Sequence, residues 1–299
     1  MIRIGPAGWS YPDSPGHVYP AGVPSRFDAL GFLATYFDAI EVNSTFYRPQ
    51  PARTFHSWVK RVAHNAPFRF TVKLWQRFTH ERAGPWTDDD VRLVTEGLAV
   101  LRDAGRLGAL LAQFPWSFKP GAASRDLLAR LADSFRGWPL VVEVRHGDWG
   151  RPDTLHELAG LGLGIANIDQ PLIGASLTPA AHAFGAVGYV RFHGRNYEHW
   201  FGEQEEAAQR YDYLYSAREL APWVERIRTL GATDGVADVY VITNNHFEGK
   251  GPANALMLRA LLEQRKVKAP PVLFSTYRSV LEPYAEPADE PPPGEMRLL

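Results

Sequence analysis

The sequence predicts an α/β protein, a single (β/α)8 TIM-type barrel with parallel strands, and three observations lead there. Eight short segments rich in β-branched and apolar residues recur along the 299 residues. Amphipathic stretches alternate with them, the pattern of right-handed βα crossovers in a parallel sheet. The first turn, Gly5-Pro6-Ala7-Gly8-Trp9, lacks the G-x-G-x-x-G of an open nucleotide-binding sheet, so eight repeats point to closure.

The elements read in order as follows. Strands are expected at Ile2–Gly8, Ala39–Asn43, Phe68–Lys73, Gly108–Phe114, Leu140–Arg145, Gly164–Asp169, Ala186–His193 and Val239–Asn244. Helices are expected at Phe27–Phe37, Ala52–Val62, Asp88–Ala104, Ser124–Phe135, Asp153–Leu161, Ala217–Leu230 and Asn254–Glu263. A sixth crossover helix near Thr178–Ala183 carries the weakest signal. The barrel is assigned to residues 1–284. Residues 285–299, AEPADEPPPGEMRLL, are too rich in proline and acid to bury a core and are expected to form a flexible tail, so that deleting Glu286–Leu299 leaves stability nearly unchanged.

With 45% hydrophobic and 22% charged residues, the composition is that of a soluble globular domain. Cysteine is absent, which excludes disulfides, thiol catalysis and thiolate zinc sites. Lys+Arg number 32 against 33 Asp+Glu, so no global field draws the molecule to nucleic acid or a membrane. The amino terminus lacks a basic and apolar leader, and no run of about 18 apolar residues occurs, so a cytoplasmic location without membrane contact is expected. There is no G-x-S-x-G, P-loop or H-E-x-x-H.

Barrel enzymes place their sites at the C-terminal ends of the strands, where residues i and i+2 point the same way. Polar pairs fall there: Glu41 with Asn43, Glu143 with Arg145, Asn167 with Asp169, and Arg191 with His193. Thr71 and Lys73, Gln113, and Asn244 with Asn245 extend the ring, and strand one leads to Trp9 and Tyr11. Burying so many charges costs several kcal/mol per ion, which a purely structural barrel interior does not require. Three carboxylates (Glu41, Glu143, Asp169) face three cations (Lys73, Arg145, Arg191), leaving His193 as the group whose ordinary pKa lies near neutrality. Glu41, Glu143, Asp169 and His193 are the expected catalytic residues. Arginines and lysine opposing the carboxylates disfavour a tight metal site, so no metal ligand is assigned and no cofactor is required, a loosely held divalent ion remaining compatible.

Aromatic residues crowd the same strand ends: Trp9, Tyr11, Phe46, Tyr47, Trp75, Trp116, Trp149, Tyr197 and Trp200. Flat side chains beside cations suit a ligand carrying a ring. Arg48, Arg77, Arg82 and Arg195 lie in the same loops, where phosphate contact is compatible and a solvated charge is the expected reading of each, and His246 is read as a loop residue in preference to an extra proton carrier. The leading expectation is a phosphoester hydrolase for a small anionic or phosphate-bearing substrate, a phosphodiester or nucleotide, nucleic acid being compatible. A sugar or sugar-phosphate isomerase or lyase and a non-catalytic ligand-binding barrel are the alternatives.

At these residues the sequence resembles the YecE-like family, known as domain of unknown function 72. The resemblance runs from Ile2 to Tyr284. It rests on Gly8-Trp9-Ser10-Tyr11-Pro12, Glu41 to Tyr47, Val72-Lys73 with Thr79-His80, Gln113-Phe114-Pro115, Val142 to Arg145 with Trp149, Arg191-Phe192-His193-Gly194, and Asn244-Asn245 with Asn254-Ala255. It implies a TIM barrel and nominates the same ring, including Tyr47 and His80 as substrate-binding positions, but supplies no reaction. Ser14 and Thr243 stand where the family often has aromatics.

Overall fold

The computed structural model describes residues 1–81, 84–197 and 211–289. Eight strands form one sheet: β1 (Ile2–Pro6), β2 (Ala39–Val42), β3 (Arg69–Lys73), β4 (Leu107–Gln113), β5 (Leu140–Glu143), β6 (Gly164–Asp169), β7 (Val187–Phe192) and β8 (Asp238–Thr243). Their order is β1-β8-β7-β6-β5-β4-β3-β2 and every ladder is parallel. The two ends meet, because Ala7 bridges Glu41 in parallel and the Gly8 N–H donates to the Glu41 carbonyl at 2.8 Å. The sheet is therefore a barrel, as the alternation of elements predicts. Closure depends on Gly5: a Cβ there would lie 1.7 Å from the Ala39 carbonyl oxygen, so only glycine lets β1 approach β2.

The helices are α1 (Ala29–Leu33), α2 (Ser44–Tyr47), which sits at the strand ends, α3 (Ala52–Arg61), α4 (Asp88–Asp103), α5 (Ala122–Ser134), α6 (Pro152–Gly160), α7 (Ala217–Ala232), α8 (Lys250–Glu263), α9 (Pro271–Thr276) and α10 (Arg278–Leu281). Reciprocal caps start two of them, Thr87 with Asp90 on α4 and Ser216 with Glu219 on α7. α1 is shorter than expected. Asp28 sets its start by accepting from the Gly31 N–H, and the chain leaves the helix after Leu33. α8 begins at Lys250 rather than Asn254 and is buried around most of its girth, against β1 and β8 on one side and α9 and α10 on the other.

The expected helix near Thr178–Ala183 is absent, and residues 170–186 cross from β6 to β7 in irregular backbone. Pro171 and Pro179 withhold N–H groups there. The segment is held instead by Asn167, whose amide donates to the His182 carbonyl and accepts from the His182 N–H, both at 2.8 Å. At the opposite end of the chain, β9 (Val267–Ala269) pairs in parallel with β10 (Ala285–Pro287), and the Ala288 N–H donates to Ala269. The chain thus stays tied to the fold past residue 284, and most of the expected tail, 290–299, lies outside the described residues. No described helix is long and apolar enough to cross a membrane.

At the N-terminal end of the barrel a small polar plug closes the interior: buried Arg3 donates to Asp238 and to the Pro67 carbonyl and lies over the Tyr240 ring. The open end is the opposite one, where the strands stop and the polar pairs gather.

Candidate active site

Arg191 on β7 organises the site. Its guanidinium is fully enclosed and grips Glu41 of β2 in a fork (Nε to Oε2 3.0 Å, Nη2 to Oε1 2.6 Å). It also reaches Glu143 of β5 (Nη1 to Oε2, 2.9 Å) and Asn244 Oδ1 (2.9 Å). Tyr189, two residues earlier on the same face of β7, donates to Glu41 Oε2 at 2.8 Å and stands 2.9 Å from Thr71 Oγ1. Four strands are tied together through one cation. Burial opposes its charge, yet Glu41 and Glu143 hold its pKa above the ordinary arginine range.

Glu143 receives two further groups. Arg145 Nη2 donates to Oε1 at 3.0 Å, and His193 Nε2 lies 3.0 Å from the same oxygen. Burial would raise the Glu143 pKa, but Arg191, His193 and Arg145 prevail and hold it well below the usual carboxylate range. His193 goes the other way. Its pKa is pushed down to about 3, chiefly by burial, with Glu143 opposing. A neutral imidazole protonated on Nε2 serves Glu143 and leaves Nδ1 to accept from Asn244 Nδ2 at 3.3 Å. The group expected from sequence to titrate near neutrality is thus locked neutral.

Above this ion cluster lies a cavity of about 380 Å³ at the strand ends. Its polar lining includes Asn43, Lys73, Gln113, Arg145, Arg191 and Asn244, and its aromatic walls include Trp9, Tyr11, Phe46 and Tyr47. No carboxylate among the described residues lines it. Glu41, Glu143 and His193, three of the four expected catalytic residues, form the floor beneath the lining rather than its surface. Tyr47 stands exposed on the rim. Tyr11 donates to the Ala7 carbonyl at 2.8 Å and is pushed to higher pKa by burial, so it remains a phenol. A Cβ at Gly8, where φ is +76°, would strike the Tyr11 hydroxyl at 2.4 Å.

Lys73 is the cavity's titratable cation. Its Nζ lies 4.0 Å above the centre of the Phe46 ring, and among the described residues no carboxylate forms an ion pair with it. Its pKa is pulled down to about 7, first by burial and then by Arg191, with Glu41 and Glu143 opposing and Arg145 adding to the fall. The Phe46 face favours the ammonium by only ~0.5–2 kcal/mol, too little to cancel that displacement. Two expected binding residues do not reach the cavity. His80 packs edge-on against Phe46 and bonds Thr79, and Asn245 donates to the Tyr213 carbonyl.

Asp169 also stands apart from the cluster. It accepts from Arg195 (2.6 Å), from the Tyr215 hydroxyl (2.6 Å) and from Trp223 Nε1 on α7 (2.6 Å), so β6 turns Asn167 and Asp169 toward the helix layer. Trp149 is fully buried and donates to the Phe118 carbonyl, which makes it packing and not wall. Arg77 binds the Gly84 and Pro85 carbonyls, while Arg82 and Trp200 lie outside the described residues. Tyr211, which the sequence does not single out, lines the cavity, and so does His246, read from sequence as a loop residue. His246 stacks on Tyr11 (3.9 Å between centres, 2° between planes), burial lowers its pKa, and its Nδ1 has no partner among the described residues. Its place directly after Asn244-Asn245 was the available signal.

Among the described residues no group of three or more His, Asp or Glu side chains gathers to hold a metal ion. A closed parallel barrel with a cation-lined pocket over its strand C-termini defines a TIM-type barrel whose site lies where barrel enzymes carry theirs. The chain belongs to the family described as protein of unknown function DUF72, whose model matches residues 3–275. It is 28% identical to UPF0759 protein YunF of Bacillus subtilis strain 168 over 276 residues, 88% of this chain and 95% of that protein. A DUF72 family protein from Thermotoga maritima MSB8 superposes with a TM-score of 0.78 at 32% identity, covering 88% and 99% of the two chains. A DUF72 family protein from Enterococcus faecalis V583 shares the fold, with a TM-score of 0.76 at 23% identity over 88% and 96%.

Proposed function

We propose that this barrel is an enzyme for small phosphate-bearing substrates, which it anchors through cations at the strand ends and transforms by acid–base chemistry. One observation carries the reading: Lys73, Arg145 and Arg191 line a cavity that no carboxylate among the described residues lines. With Asp169 committed to Arg195, two carboxylates balance three cations in the cluster, and a bound anion supplies the missing charge. The cavity volume suits one sugar phosphate or one nucleotide, and its aromatic walls suit the flat face of a ring. A pocket of this size on a chain of formal charge −1 favours such a molecule over a nucleic-acid strand.

Phosphoester hydrolysis, the reaction favoured from sequence, needs a base to activate water. Glu143 and His193 lie beneath Arg191 and are respectively too acidic and too deeply enclosed for that role. The isomerase reading loses its acid–base pair for the same reason, since Glu41 and Glu143 share one arginine. Proton carriers reaching the cavity are Lys73 and His246, which makes the phosphate a handle for binding.

Thermal-shift titrations with sugar phosphates and the same sugars lacking phosphate test this. The phosphorylated member of each pair should raise Tm saturably. Arg145→Met should weaken that response about 10- to 150-fold, the equivalent of ~1.5–3 kcal/mol for a hydrogen bond to a charged group. Equal stabilisation by both members of the pairs contradicts the proposal.

A further inference from the structure

Three features of Lys73 coincide. It lines the cavity from the last position of β3, where Thr45 Oγ1 fixes its carbonyl at 2.7 Å. The carboxylates beneath it are spent, Glu41 on Arg191 and Tyr189, Glu143 on Arg191, Arg145 and His193. Its surroundings are one aromatic face and two guanidinium groups, so no described partner claims its amine lone pair. A lysine retained only to bind an anion is served best by staying charged, and this one is desolvated beside like charges, the setting that makes an amine a nucleophile.

We propose that Lys73 is a Schiff-base nucleophile, and that the substrate is a phosphate-bearing aldehyde or ketone captured covalently in the cavity. The inference rests on the phosphate-binding reading above and names its substrate class. The free amine adds to the carbonyl carbon, forming a C–N bond while the carbonyl π pair moves onto oxygen, which takes up a proton. The carbinolamine then loses water as its C–O bond breaks, and the nitrogen, after releasing one proton, carries the C=N bond of an iminium. Loss of a proton from the adjacent carbon to the His246 imidazole then leaves that C–H electron pair to form the C=C bond of an enamine as the C=N π pair returns to nitrogen, with no external oxidant or reductant. Lys73 pulled down to about 7 is partly unprotonated at neutral pH, with Arg191 and Arg145 facing it as cations and Glu41 and Glu143 as anions. His246 lines the same cavity, an imidazole held neutral by burial that can take and return the carbinolamine proton.

The chain has six lysines, and Lys60, Lys119, Lys250, Lys266 and Lys268 serve as internal references. The full chain is incubated with dihydroxyacetone phosphate, reduced with borohydride, digested and mapped by mass spectrometry. Lys73 should carry the reduced adduct at least tenfold over each reference lysine, and should do so half-maximally near pH 7. Lys73→Arg, which keeps the cation, and Lys73→Met should both lose that adduct while labelling of the references is unchanged. Dihydroxyacetone without phosphate should label Lys73 poorly. Labelling spread evenly over all six lysines, or absent from Lys73 while sugar phosphates still raise Tm, overturns the covalent role and leaves phosphate binding intact. Absence of both the adduct and the thermal shift sinks the two readings together.

Discussion

Arg191 shows how one side chain can be structural and functional at once. Its Nε and Nη2 hold Glu41, its Nη1 holds Glu143, and the group still lines the cavity. Arg191→Met removes the shared cation and leaves two enclosed carboxylates, so we expect a loss of about 3–5 kcal/mol in urea unfolding, the usual penalty for breaking a buried pair from one side. Arg145→Met, at a half-buried side chain that lines the cavity, should cost far less stability. Equal losses for the two variants would mean that Arg191 is not the keystone described. The ring of polar strand ends was legible because six of its members share the parity of their strands. Asp169 shares it as well, yet β6 turns it outward to Arg195, Tyr215 and Trp223, and alternation along a strand buried on both faces does not say which face is inward. Its partners Tyr215 and Trp223 lie 46 and 54 residues away, beyond the reach of local pattern.

At the scale of elements, periodicity reported each strand to within two residues because barrel strands are short apolar runs flanked by turn-forming residues. The crossover from β6 to β7 was misread for a physical reason: its alanines favour helix, while Pro171 and Pro179 and the Asn167 clamp hold it in irregular backbone. Asn167→Ala would leave the His182 N–H and carbonyl without that clamp, at a cost of about 1–3 kcal/mol. Amide exchange at His182 should quicken much more than at β7 amides. Unchanged exchange at His182 would mean that the crossover is held by its other contacts, such as Leu177 N–H to the Arg145 carbonyl. That contact matters for the site, because it ties the crossover to the loop carrying Arg145.

For the whole molecule, the buried site makes stability a function of pH. His193, near 3 when folded against an ordinary value of 6.5, binds a proton more readily unfolded, so acidification below about 6.5 destabilises the fold. Glu143, depressed on folding, adds stability above its ordinary 4.5 that is lost as pH falls through its lower folded value. Lys73, near 7 folded and 10.5 ordinarily, acts across the alkaline range: the unfolded chain holds the extra proton there, so stability rises from pH 7 toward 10.5. All three groups push the same way, and the limiting slope for one proton is about 1.4 kcal/mol per pH unit. Urea unfolding of the parent and of Lys73→Met at successive pH values isolates the alkaline limb, since other groups cancel in the difference. The parent should gain stability relative to the variant as pH rises from 7 to 10, and the variant should be the more stable of the two at pH 7, where a desolvated amine beside two arginines is a burden on the fold. A bound phosphate favours the ammonium and should shift the parent's alkaline limb to higher pH. Parallel curves with and without Lys73 would show an ordinary solvated ammonium, and the cavity would then hold a plain electrostatic clamp with no amine poised for chemistry.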